Sequence, residues 1–286
     1  MSNNTFNFRH FRHLRALPMT NIETIFLGII QGLAEFLPIS SSGHLVIFKN
    51  LLGFKEPELL LDVSLHLGTL LAVCIYFRSD LKKMAEEIWE IATPGADHRF
   101  KLKPHASLAL MVVVGSIPTA LIGIIFKTPL ERVFGSVTTV GVMLVITGII
   151  VGSTRFIPKA HEKLTQVGPL IALAIGTAQG LAIMPGISRS GSTIVCALLL
   201  GLNRELAGRF SFLLSIPAIL GAVVLQFDME AITRIGVVPL ILGFASSALV
   251  GFMALKVLMG MVKKGHFYYF APYCLAVGVF TIIFTW

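Results

Sequence analysis

Charge is scarce in this sequence. Asp, Glu, Lys and Arg make up 13% of its 286 residues, about half the share of a typical soluble domain. Apolar residues reach 55% and mean hydropathy is +0.83. A chain of this composition would aggregate in water, which excludes soluble, disordered, collagenous and nucleic-acid-binding classes. Cysteine is nearly absent too. Cys74, Cys196 and Cys274 are odd in number, far apart and without metal-ligand spacing, so they read as small core residues, not as a disulfide framework. No apolar stretch precedes Asn21, while Arg9, His10, Arg12, His13 and Arg15 crowd the start, so residues 1–20 read as a polar or interfacial tail and not as a signal peptide.

What the chain has in quantity is long apolar runs. A bilayer core of about 30 Å takes roughly 20 apolar residues in helix. Segments 107–126, 133–154, 210–227, 235–255 and 265–286 meet that length without one Asp, Glu, Lys or Arg. Segment 63–77 is a shorter candidate. In 78–105, Leu81, Met84, Ala85, Ile88 and Ile91 recur at helical spacing opposite Lys82, Lys83, Glu86, Glu87 and Glu90, the pattern of a helix lying in the membrane interface.

Two further apolar segments, 24–54 and 168–203, are broken in the middle by polar, Gly- and Pro-containing turns, and they are copies of one another. Shifted by 148 residues, 28–43 lies over 176–191 with identical Gly, Gln, Gly, Leu, Ala, Ile, Ser, Ser and Gly. Polar backbone at membrane depth is tolerated only inside protein or beside a water-filled cavity. Paired interrupted segments in two halves mark a site near the midplane. With both segments re-entrant, loops 78–105, 155–166, 202–209 and 260–266 share one side and hold 13 Lys and Arg, while the opposite side holds Lys49, Lys55, Lys127, Arg132 and Arg234. The richer side is expected in the cytoplasm. The expected fold is an all-α polytopic integral membrane protein. Its inverted repeat has two re-entrant helix–loop–helix hairpins meeting near the midplane, and about six full spans. Residues 1–21 form a basic tail and 22–286 one transmembrane domain, with halves near 22–154 and 168–286.

Glu35 and Arg189 are the costliest residues at that depth, about 2.5–3.5 kcal/mol each on insertion scales, so they are read as functional. A structural ion pair between the halves is the plainer alternative. Gln31 shares a helical face with Glu35. Each hairpin tip offers hydroxyls followed by glycine: Ser40, Ser41, Ser42 and Gly43 in the first, Ser188, Ser190 and Gly191 in the second. Backbone N–H groups in such turns, at the start of a half-helix, make an anion nest. The planar fork of Arg189 suits phosphate oxygens. His44 is an acid–base candidate, whereas His66 is more readily a packing residue. Glu35 could hold one hard cation such as Mg2+ or Ca2+ through oxygen, with Gln31 as a weak second ligand, or could orient His44.

Gln31-Gly-Leu-Ala-Glu35-Phe-Leu-Pro-Ile-Ser40-Ser-Ser42-Gly43-His44 and Pro185-Gly-Ile-Ser188-Arg189-Ser190-Gly191 resemble the two signatures of the bacterial undecaprenyl pyrophosphate phosphatase family, the bacitracin-resistance type. The resemblance runs from residue 22 to 286 and takes in Asp62-Val-Ser-Leu-His66-Leu-Gly-Thr. It implies a phosphatase that removes the terminal phosphate of undecaprenyl pyrophosphate, recycles the lipid carrier for cell-wall synthesis and confers bacitracin resistance. It also implies dependence on a divalent cation and a site in the plasma (inner) membrane that opens toward the periplasm or outer leaflet. The family's motif acid, serine, histidine and arginine fall on Glu35, Ser41, His44 and Arg189. Some members carry glutamate where this chain has Gln31. The expected mechanism has Arg189 and the two nests clamping the pyrophosphate while Ser41 attacks with help from His44, with direct attack by water as the alternative. Expected partners are the polyprenyl substrate, membrane lipid and, as an option, a second copy in a homodimer. A lipid-phosphate carrier using the same inverted-repeat site is the rival reading.

Overall fold

The computed structural model describes residues 20–52, 59–93, 103–126, 136–226 and 235–285, so residues 1–19 of the basic tail lie outside the described residues, while Thr20 caps and Asn21 opens the first helix. The described residues are helical, with one isolated bridge between Leu164 and Leu202. The first hairpin is α1 (Asn21–Phe36) and α2 (Ser41–Leu51), followed by α3 (Leu59–Tyr76), α4 (Arg78–Ala92), α5 (Pro104–Ile125) and α6 (Val137–Gly152). The second hairpin is α7 (Pro169–Leu181) and α8 (Arg189–Leu199), followed by α9 (Arg204–Gln226), α10 (Val237–Lys264) and α11 (Ala271–Thr285). Among the described residues five helices are long and apolar enough to cross a membrane, or six if α3 with α4, bent by 73°, counts as one broken span. The chain is a multi-pass membrane protein. α4 is the polar, amphipathic helix expected at the interface; Met84 is buried while Trp89 is exposed.

The hairpin arms are too short to cross. α1 has 16 residues, α7 has 13, and α2 and α8 have 11 each, about 16–24 Å of helix at 1.5 Å per residue. Their breaks are written locally. Leu37 turns extended ahead of Pro38, and Ser40 and Ser188 then start the second arms by accepting the N–H of Gly43 and of Gly191 on their side chains.

Duplication in sequence becomes a pseudo-two-fold in space. α1 packs on α10 as α7 packs on α5, α3 meets α10 as α9 meets α5, and α6 pairs with α11 across the axis. In lipid, helices associate through small residues that let backbones approach. Gly32 and its repeat mate Gly180 both serve this purpose. A Cβ on Gly32 would stand 2.8 Å from the Ser247 carbonyl oxygen, and one on Gly180 would stand 2.6 Å from Ile122. Hydroxyls add glue at the same seams, Ser247 donating to Leu65 O at 2.8 Å and Thr119 to Gly176 O at 2.8 Å.

Ion pairs gather the charged loops at one end. Arg204 meets Glu162 at 2.8 Å, Arg209 meets Asp80 at 3.4 Å and Lys263 meets Glu205 at 3.0 Å. These pairs link all four loops that the re-entrant reading of both segments puts on one side. The second hairpin starts and ends at this end, where the Leu164 N–H donates to Gly201 O. The first starts and ends at the other, where Lys49 of α2 pairs with Asp62 of α3 at 2.6 Å. The hairpins therefore enter from opposite faces and meet inside.

Candidate functional site

The tips touch. A Cβ on Gly43 would lie 3.0 Å from the Gly186 Cα, and Gly186 itself takes φ +97 against the α6 backbone. Each tip is stapled to the helix behind it in the same way. Thr147 of α6 donates to Gly186 O at 2.8 Å and accepts from the Ser188 N–H at 3.0 Å. On the other side of the axis the Cys274 thiol of α11 donates to Pro38 O at 3.3 Å.

At this junction the repeat stops being symmetrical, and the asymmetry builds the site. Glu35 stands where the second half has Ile183, Ser41 where it has Arg189, and His44 where it has Ser192. Ser41 and Arg189 each open a second arm, so both sit at a helix N-terminus. Arg189 forms an ion pair with Oε1 of Glu35. The other carboxylate oxygen, Oε2, accepts from Ser41 Oγ at 2.6 Å and from Gln31 Nε2 at 3.0 Å. His66 Nδ1 lies 3.6 Å from that oxygen and 2.9 Å from Gln31 Nε2. The Glu35 side chain is 5% exposed and that of Arg189 24%, so Arg189 is not fully enclosed. Ser41 and Ser42 are partly exposed; Ser40, Gly43, Ser188, Ser190 and Gly191 are buried behind them.

Two expectations change here. His44 does not serve Ser41. Its Nδ1 lies 2.8 Å from the Ser40 carbonyl oxygen and its Nε2 lies 2.8 Å from Oη of Tyr273. The group on the Ser41 hydroxyl is Glu35. Nor does Glu35 orient His44; it is engaged by Arg189, Ser41 and Gln31 instead. The nests are also narrower than the sequence suggests, since Ser40 and Ser188 already take the N–H of Gly43 and Gly191. The preceding N–H groups, of Ser41 and Ser42 and of Arg189 and Ser190, have no acceptor among the described residues and could meet an anion. The ion pair foreseen as the plainer alternative is present, and it coexists with the site, because the other guanidinium N–H groups stay available.

Among the described residues no cluster of three His, Cys, Asp or Glu could cage a metal. The Gln31 amide must turn its NH2 toward the Glu35 carboxylate, which only accepts. Its Oε1 is left buried without a partner among the described residues. Gln31 thus offers a cation no oxygen beside Glu35. The remaining donor is one carboxylate whose two oxygens already carry Arg189, Ser41 and Gln31, so a cation here would have to keep its waters and come with substrate phosphates.

Sequence reasoning missed Tyr273, Thr147 and Cys274. Tyr273 left one signal, being one of only four tyrosines and lying inside an apolar span, where a phenol needs a partner.

The model of the family described as "Bacitracin resistance protein BacA" matches residues 24–280. An "Undecaprenyl-diphosphatase" of Desulfatibacillum aliphaticivorans is 45% identical over 269 residues, covering 92% of this chain and 98% of the relative. Another of that name from Desulfosudis oleivorans is 46% identical over 272 residues, with the same coverage. A third, from Methanosphaera stadtmanae, is 41% identical and covers 92% and 97%.

Proposed function

The chain belongs to the family of bacitracin resistance protein BacA, and from that premise we propose that the paired tips are where it acts as an undecaprenyl-diphosphatase. It removes the terminal phosphate of undecaprenyl pyrophosphate and returns the monophosphate carrier to cell-wall synthesis. Keeping that pool supplied is what gives resistance to bacitracin. The observation that carries the site assignment is the contact of Ser41 Oγ, Glu35 and Arg189 at the meeting point of two helix N-termini.

In this reading the diphosphate lies against the free N–H groups of both tips and the outer N–H groups of Arg189, which compensate charge building on the phosphoryl oxygens. Glu35 Oε2 takes the Ser41 proton as Oγ bonds to the terminal phosphorus and the bond from phosphorus to the bridging oxygen breaks. The lipid monophosphate leaves, and water then cleaves the phosphoserine. A divalent cation, Mg2+ or Ca2+, brought by the diphosphate and held on the protein side by Glu35, would neutralise phosphate charge. His44, which does not touch Ser41, is assigned to the second step, where it takes a proton from the water that attacks the phosphoserine while Glu35 returns its proton to Ser41 Oγ. The carrier alternative draws no support from the relatives, which bear the phosphatase name.

The deciding experiment is phosphate release from undecaprenyl pyrophosphate by purified protein in detergent, where there are no two leaflets to transport between. Release that stops with chelator and returns with Mg2+ is expected; no release would sink the enzyme reading. Gln31→Glu should retain turnover and reach half-maximal rate at a lower Mg2+ concentration, because a second carboxylate joins Glu35. A Mg2+ titration that does not move would remove the cation from this corner.

The charged end is proposed to face the cytoplasm of the plasma (inner) membrane, with the first hairpin and the mouth of the site toward the periplasm or outer leaflet. With the native cysteines replaced, cysteine at Lys82 and at Lys163 should resist an impermeant thiol reagent in intact cells, and cysteine at Phe126 should react. Labelling of the first two but not the third inverts the orientation.

A further inference from the structure

We infer that Tyr273, in the second half of the chain, is the positioning residue for His44, setting which ring nitrogen carries the proton and where the other points. The inference rests on the reading of His44 as an acid–base group. A carbonyl oxygen only accepts, so Nδ1, 2.8 Å from Ser40 O, must carry a hydrogen. In the neutral ring the lone pair is then on Nε2, and the partner 2.8 Å away, Tyr273 Oη, donates to it. The two rings are nearly parallel, 11° apart with centroids at 5.7 Å, so the phenol lies alongside the imidazole and holds its plane.

Backbone conformation supports the same arrangement. Ser40 is the one non-glycine residue with positive φ among those described, at +70. Its repeat mate Ser188 sits at an ordinary −80. The strained residue is the one whose carbonyl receives both the backbone N–H of His44, at 3.2 Å, and its Nδ1. Strain of this kind persists where surrounding contacts require a fixed geometry. The second tip has Ser192 in place of histidine and no such strain. His44 is 4% exposed, whereas Tyr273 is 45% exposed, so the partner of the buried ring lies nearer the protein surface than the ring does.

Tyr273→Phe keeps the ring and removes only the hydroxyl. It is expected to lower kcat for phosphate release about 10-fold, the worth of one hydrogen bond to a reacting group, with KM and thermal unfolding in detergent unchanged. In a His44→Ala background the same change should add nothing, because both act through one imidazole. Wild-type kcat in Tyr273→Phe, a loss confined to KM, or an equal further loss on top of His44→Ala would each overturn the inference. The two readings fail separately. An inactive His44→Ala beside a fully active Tyr273→Phe removes Tyr273 alone, whereas wild-type turnover in His44→Ala removes the role of His44 and this inference with it.

Discussion

Glu35→Gln is expected to leave purified protein with less than about one-thousandth of wild-type turnover and a lower unfolding temperature. Both effects come from one carboxylate with three donors on it: Arg189 on Oε1, Ser41 and Gln31 on Oε2. An amide cannot accept on both ends. It leaves the guanidinium without its counter-ion and turns an N–H toward a donor. Removing one partner of a buried pair costs about 3–5 kcal/mol, and the exposed quarter of Arg189 places this case at the lower end. The double variant Glu35→Gln with Arg189→Gln separates the effects. Without charge on either side, stability should return toward wild type while turnover stays absent. Near-wild-type rates in Glu35→Gln, measured as phosphate release with unchanged Mg2+ dependence, would sink Glu35 as both base and cation ligand.

Ser41→Ala is expected to abolish turnover while leaving the fold intact, since Ser41 is partly exposed and its helix is capped by Ser40. The hydroxyl donates at 2.6 Å to Glu35, a base already in place, and it opens α2, where the helix dipole favours the phosphate it would attack. The direct evidence would be a phosphoserine trapped on residue 41 by rapid acid quenching of the wild-type enzyme. Measurable residual turnover in Ser41→Ala, with no phosphoenzyme in the wild type, would assign the attack to water positioned by Ser41 and Glu35. The loss expected for Ser41→Ala exceeds the factor of about 10²–10⁴ usual for an acid–base group such as His44, because a nucleophile carries the bond that forms.

Hydropathy alone identified a membrane protein, since the cost of polar backbone in lipid acts on every segment separately and leaves its mark in composition. The duplicated hairpins were legible for the same reason. Gly, Pro and Ser at membrane depth are tolerable only in a buried turn, and the repeat of Gln, Gly and Ser-x-Ser-Gly shows the turn twice. The sharing of one side by four loops followed from reading both segments as re-entrant, and ion pairs join those loops. Glu35 and Arg189 stood out because charge in lipid is rare enough to need a purpose. What sequence could not supply was which side chain faces which. Ser41 lies three residues from His44 on α2, a spacing that makes the two neighbours on one face, yet its hydroxyl donates to Glu35, because the hairpin folds α1 back across the start of α2. The partner of His44 is 229 residues away on α11, and that of Glu35 is 154 residues away on α8. Such pairings exist only after the two halves have closed on each other. They were decided by the pseudo-two-fold packing of the tips, where glycine contacts and the Thr147 and Cys274 staples set the approach, and no local pattern encodes that distance.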